Sequence, residues 1–376
     1  MSERSVITAP MFFVLVGMII SSFHIEILKE GINAPFVKVI AEITLVLVLF
    51  VDASTLNLKT LVKEKGLPIR LLFIGLPITM VLGILIGIPM FKGNDIWLIA
   101  LMALILSPTD AALGQAVVTS KIVPEKIRQT INVESGLNDG IALPPILICL
   151  AALNESSGHG SGFSYWGLFT LKQFVYGPLI GGFVGWAGGR IVEKASEKGW
   201  MNNTFQRLAS IAMAILAFSL AEMVHGNGFI AAFFAGMLLG TTTPSIRERI
   251  HEFGEAEAQA LELFIFLIFG MIMFPIARQY WDLNVWIYAI LSLSVIRMLP
   301  VWLCLRGTNL PLGTVAFIGW FGPRGIASVL YLIMALMAIG LKGHEAIFSV
   351  IVLTVLLSIL LHGISALPLS KLYKQG

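Results

Sequence analysis

The stretch "SPTDAALG", residues 107–114, lies inside an apolar run from about 95 to 119 and cannot continue as a plain helix. Pro108 has no backbone N–H and crowds the turn behind it, which leaves carbonyls near Thr109 and Asp110 without helical partners. A second stretch repeats the device with the opposite charge. "GWFGPRGIAS", residues 319–328, sets Gly322, Pro323 and Gly325 around Arg324 within a run from about 311 to 340. Two apolar runs interrupted in this way point to a transporter of inverted repeats with a site near the bilayer midplane. Ordinary proline kinks would account for the prolines but not for the opposed charges.

Working outward, 57% of the 376 residues are hydrophobic and 12% charged, against roughly 25% charged in a soluble domain. The chain reads as an all-α polytopic membrane protein. Spans are expected near 8–23, 36–56, 69–90, 95–119, 127–152, 173–190, 207–224, 228–241, 260–276, 284–305, 311–340 and 345–367. The first and eighth are short for a bilayer core. No cleavable signal and no separate soluble domain is expected. One transmembrane domain is therefore read, with a first repeat about 8–152, a linker helix about 173–190 and a second repeat about 207–367. If spans seven to twelve form a six-span repeat, its broken member is the fifth. Spans one to five behind a missing leading span make the other repeat, and span four is again fifth.

Of the 25 lysines and arginines, 17 fall in one alternating set of connections, six in the other and two, Arg297 and Arg324, within spans. By the positive-inside rule both termini are expected in the cytoplasm. The net charge of +3 does not imply nucleic acid, because the basic residues lie between apolar runs and form no patch. Cys149 and Cys304 sit within apolar runs as small hydrophobes, so no disulfide is expected.

A charge near the bilayer centre costs about 2.5–3.5 kcal/mol on insertion scales, so deep acids and bases usually face a cavity and serve a function. The deep candidates are Asp52, Asp110, Glu134, Asp139, Arg297 and Arg324; Glu42, Glu222 and Glu262 lie nearer span ends. In "NVESGLNDGIALPP", residues 132–145, helical spacing stacks Glu134 over Asn138 and Ser135 over Asp139. Ser135 and Asp139 can then present oxygens to one point. Asp110 would face positive helix N-termini, and Arg324 would offset acids and carbonyl dipoles where the broken spans cross.

These motifs resemble the cation:proton antiporter-1 family, which includes the NhaP-type bacterial sodium/proton antiporters and, more distantly, the animal sodium/proton exchangers. The resemblance rests on "LFVDASTLNL", "SPTDAALGQAVV", "VPEKIRQTINVESGLNDGIA", "GFIAAFFAGMLLG" and "GPRGIAS", and covers most of the chain from about residue 8. It implies the sodium/proton antiporter fold, with two discontinuous crossing helices. It implies that Asp139 is the essential ion- and proton-binding carboxylate, preceded by Asn138 of the family's Asn-Asp pair. Thr109 and Asp110 match the Thr-Asp of the first broken helix, Ser135 a supporting ligand, and Asp52 a position where relatives often carry Glu. Glu134 matches the acid paired with a core arginine; Arg324 matches the arginine of the second crossing and Arg297 is the other candidate, so the partner of Glu134 stays open. Relatives commonly have thirteen spans, and this chain is expected to start at what corresponds to their second, which leaves open whether the sequence is a fragment. In the family the leading helix contributes to the homodimer contact, so this bears on dimer geometry.

The expected function is exchange of a monovalent cation, Na+ first and with Li+ or K+ open, for H+ by alternating access in a bacterial inner membrane. Hard cations prefer oxygen ligands, which Asp139, Asp110, Ser135, Thr109 and freed carbonyls supply. Burial disfavours the charged carboxylate, so one group can hold either a cation or a proton, and this competition is the coupling. The resemblance implies electroneutral stoichiometry, no cofactor beyond the transported Na+ and H+, and a homodimer in the bilayer. An intramembrane aspartyl protease is one alternative, since Asp110 and Asp139 could form an acid/base dyad and "GLND" approaches a GxGD pattern. It leaves Arg324 and the broken spans unexplained. A passive cation channel would need acidic rings or a filter loop, and neither is visible. His159, His225, His251, His344 and His362 are read in loops or at span ends, with His24 closing the first span, and a pH-sensing role is open to any of them.

Overall fold

The computed structural model describes residues 8–23, 34–55, 66–110, 113, 117, 122–156, 163–242 and 247–373. Among them every regular element is helical: α1 (Ala9–Ser21), α2 (Pro35–Thr55), α3 (Leu67–Met90), α4 (Ile96–Ile105), α5 (Glu125–Ser156), α6 (Phe163–Glu197), α7 (Asn203–Met223), α8 (Gly228–Thr242), α9 (Arg247–Ile268), α10 (Leu283–Leu293), α11 (Val295–Cys304), α12 (Leu312–Trp320), α13 (Ile326–Ile339) and α14 (Glu345–Leu372). Each expected span holds one helix or a broken pair. The long apolar segments Leu67–Met90, Glu125–Asn154, Asn203–Met223, Gly254–Tyr280, Leu283–Cys304 and Glu345–Lys371 are each sufficient to cross a bilayer core of about 30 Å. The chain is an all-α, multi-pass membrane protein.

The breaks fall where proline and glycine place them. α4 ends at Ile105, and residues 106–110 leave the helix; most of the second half of that span lies outside the described residues. α12 ends at Trp320 and α13 starts at Ile326, with five non-helical residues between. Three features differ from expectation. α6 and α9 reach well beyond the apolar runs that marked them, because a helix can continue into water on polar residues such as those of "RERIHEFGEAEAQ". α9 is prolonged by a wide turn, Phe269–Met273, into Phe274–Ala277. The span expected over 284–305 is two helices that restart at Ser294, whose hydroxyl bonds the Ile290 carbonyl at 2.6 Å.

Two compact units are present, one from the described residues of 1–38, 65–154 and 263–376 and one from those of 39–64 and 155–262. In the second, α8 packs between α6 and α2 through small residues. A Cβ on Gly181 or Gly185 would strike the carbonyl of Ala231 or Ala235, and one on Gly236 or Gly240 the carbonyl of Phe50 or Ser54. In a bilayer such close backbone approach, with its dispersion contacts, replaces the hydrophobic effect as the force between helices. Phe50, Val51, Ala214, Ala217 and Leu239 fill the core beside it.

In the first unit α14 is the most buried long helix, 78% of its apolar window against 44–50% for the others, so protein rather than lipid surrounds it. The Tyr288 hydroxyl donates to the Gly83 carbonyl and joins α10 to α3. Arg70 reaches the carbonyls of Cys304 and Arg306 at the end of α11. This unit carries both breaks.

Candidate functional site

The two breaks cap one another. The carbonyl at the end of α4 and two just past it take donors from the second broken span: Ser328 Oγ donates to the Ile105 carbonyl at 2.7 Å, and Arg324 Nη1 to the carbonyls of Ser107 at 2.8 Å and Pro108 at 3.2 Å. In return Asp110 serves the N-terminus of α13. Its Oδ2 accepts the Ile326 N–H at 2.9 Å, and its own N–H donates to the Pro323 carbonyl at 2.8 Å. An acid at a helix N-terminus and a cation among terminal carbonyls each sit where the backbone dipoles favour them. A Cβ on Gly325 would overlap the Asp110 carboxylate, so this approach requires glycine.

Beside this clamp lies a buried polar cluster on α5. Asn138 Nδ2 donates to Thr109 Oγ1 at 2.7 Å, and the Thr109 and Ser135 hydroxyls are 3.1 Å apart. Asn138 Oδ1 is buried and has no hydrogen-bond partner among the described residues. Ser135 and Asp139, four residues apart, share a face of α5. The Tyr331 hydroxyl of α13 donates to the Asp139 carbonyl at 2.8 Å and ties the second broken span to α5 at that residue. Thr109, Asp110, Ser135, Asn138 and Asp139 are all buried. Such a set of hydroxyl, amide and carboxylate oxygens can take a hard monovalent cation or a proton.

Glu134 belongs to a different arrangement. Arg297 Nη1 and Nη2 donate to its two carboxylate oxygens at 2.6 and 2.8 Å, both side chains being 2% exposed. This two-pronged geometry suits guanidinium and carboxylate. The choice that sequence left open therefore falls on Arg297. Gly322 makes it possible, because a Cβ there would collide with the Arg297 guanidinium. Arg324 is wholly buried, and its contacts are the carbonyls of the first break.

Of the expected residues, the structure brings together Pro108, Thr109, Asp110, Ser135, Asn138, Gly322, Pro323, Arg324 and Gly325 at or beside the breaks, with Asp139 on α5 and the Glu134–Arg297 pair. Asp52 lies on α2 in the other compact unit, half-buried. Tyr331, Ser328 and Ser358 make contacts at the breaks that the sequence does not single out. His362, expected at a span end, is instead a buried residue within α14, because that helix continues to Leu372. The signal that could have flagged it is the polar pair Ser358 and His362 four residues apart in an otherwise apolar run.

A family model described as "Sodium/hydrogen exchanger, transmembrane" matches residues 1–372. The K(+)/H(+) antiporter NhaP2 of Shewanella oneidensis is 25% identical over 283 residues, 73% of this chain and 47% of that protein. The chain thus spans about half the length of such relatives. The Na(+)/H(+) antiporter NhaG of Bacillus atrophaeus is 26% identical over 384 residues, 96% of this chain and 69% of that protein. The fold matches that of the sodium proton antiporter MjNhaP1 from Methanocaldococcus jannaschii with a TM-score of 0.78 at 18% identity, over 95% of this chain and 92% of that one. With the family match running over nearly every residue, the chain belongs to the sodium/hydrogen exchanger family.

Proposed function

We infer that this protein exchanges one monovalent cation for one proton by alternating access, with Asp139 as the shared carboxylate and Asp110, Thr109, Ser135 and Asn138 as its supporting ligands. The observation that carries this reading is the hydroxyl–amide cluster of Thr109, Ser135 and Asn138 beside buried Asp110 at the reciprocal breaks and buried Asp139 on α5. Charge bookkeeping supports the stoichiometry. Among the described residues, the buried carboxylates of the first unit are Asp110, Glu134 and Asp139, and its buried guanidiniums are Arg297 and Arg324. Glu134 and Arg297 cancel as a pair, and Arg324 offsets one aspartate. One negative charge is left for one cation or one proton, so the loaded site keeps the same net charge in either form and the cycle is electroneutral.

The relatives include both a K+/H+ and a Na+/H+ antiporter, which supports Na+ or K+ as the cation with Li+ still open, and a panel of the three decides it. The excess of Lys and Arg in one alternating set of connections supports cytoplasmic termini, in a bacterial inner membrane. The repeats run about 8–152 and 207–367, joined by a linker helix about 173–190, and the protein works as a homodimer in the bilayer. A protease or channel is not favoured by any of these relatives. The test is proton movement driven by Na+, K+ or Li+ in everted vesicles. Asp139→Asn is expected to abolish it for every cation at unchanged protein level, and an unchanged rate would remove Asp139 from the mechanism.

A further inference from the structure

Among the buried polar side chains of α14, none of which the exchange site uses, Ser358 and His362 stand one turn apart beside the second break. Both lie in the interior of an apolar helix largely closed off from lipid, Ser358 at its midpoint and His362 one turn further on, where a polar group needs a partner to be tolerated. Ser358 Oγ accepts the backbone N–H of Arg324 at 2.6 Å, and this is the main-chain anchor of the second break to α14. His362 Nδ1 lies 2.9 Å from the Ser358 carbonyl oxygen and 3.1 Å from Ser358 Oγ. A carbonyl only accepts, so the contact to the Ser358 carbonyl is a hydrogen bond in the tautomer with hydrogen on Nδ1, whereas the Ser358 hydroxyl can pair with Nδ1 in either tautomer. On its other side the ring stacks with Trp320, centroids 4.9 Å apart at 34°, and Trp320 Nε1 donates to Ser365 Oγ one turn further along α14. Trp320 is the last residue of α12. One imidazole therefore touches both ends of the five-residue break between Trp320 and Ile326, directly at the first end and through Ser358 near the second.

We propose that His362 and Ser358 form a positioning relay that fixes the second break, and through it the Asp110 clamp, with His362 acting on Ser358 and Ser358 on the Arg324 backbone. The Ile326 N–H that holds Asp110 is two residues beyond that anchor. Loosening the anchor lets this N–H drift from Asp110 and weakens cation binding more than it slows turnover. The relay rests on the exchange reading above. It goes beyond it by assigning a role to a helix that supplies no ligand.

The test is cation-driven proton flux in proteoliposomes of the full chain, with apparent KM and maximal rate measured separately. His362→Ala and Ser358→Ala are each expected to raise KM about five- to tenfold with maximal rate changed less, the cost of about one hydrogen bond. Because the residues act in series, the double variant should match the single ones. His362→Asn, whose amide can donate from nearly the same place, and Ser358→Thr should restore KM to within about twofold. The relay is overturned if the single variants behave as wild type, if their KM effects multiply in the double, or if the conservative variants fail to rescue while reaching wild-type protein levels. Should His362→Ala not accumulate in the membrane, the Ser358→Ala and Ser358→Thr pair gives the same reading. Asp139→Asn in parallel separates the two ideas: if it still transports, the exchange reading fails, whereas if it is inactive and the α14 variants are normal, only the relay does.

Discussion

A methyl group at Gly325 would occupy the space that the Asp110 carboxylate fills, while one at Gly313 in the same broken span would touch nothing. Gly325→Ala is therefore expected to lower cation-driven proton flux at least about tenfold by displacing a charge-assisted hydrogen bond, with Gly313→Ala near wild type. Equal activity of the two would show that the clamp is dispensable. Glu134 and Arg297 obey a different rule. Removing either partner leaves the other buried and uncompensated, at a cost of about 3–5 kcal/mol, so Glu134→Ala and Arg297→Ala should each lower the thermal midpoint of the detergent-solubilised protein sharply. The double variant should lose less than the sum of the two. The need of each residue for a partner was legible from its depth in an apolar run. Their pairing was not, because they stand 163 residues apart and Arg324 met the same criteria.

At the scale of elements, proline marks the breaks but does not hold them open. α4 is finished by Arg324 and Ser328 from the other span, and α13 is started by Asp110. Pro108→Ala should accordingly keep most of the transport rate. Arg324→Leu strands two buried carbonyls, at about 1–3 kcal/mol each, and should abolish it; the reverse ranking in the vesicle assay would return the break to its proline. Between α6 and α8 the expected effect is on stability alone. Gly185→Leu has no room against Ala235 and should lower the thermal midpoint and yield. The positions of the broken spans were readable because Pro108, Pro323 and their charged neighbours disturb helices in known ways. The restart at Ser294 was not, since serine is ordinary in a membrane helix. α14 read as one more apolar span, and only its packing shows that Ser358 and His362 have work within it.

For the whole molecule, composition and the succession of apolar runs already specified an all-helical, multi-pass chain, and the family match agrees with that reading. What they could not show is how buried charges from distant segments add up. Among the described residues, three buried carboxylates against two buried guanidiniums in the first unit leave a single negative charge, and the exchange reading stands on one site that accepts either a cation or a proton. The most direct measurement is the apparent KM for the driving cation across a pH series, with purified protein in liposomes at fixed membrane potential. Competition at one carboxylate requires KM to rise as pH falls, by about tenfold per unit once the site is mostly protonated, with the maximal rate at saturating cation little changed. A KM that stays flat while the rate alone varies with pH would mean that cation and proton bind at separate places, and would contradict the account.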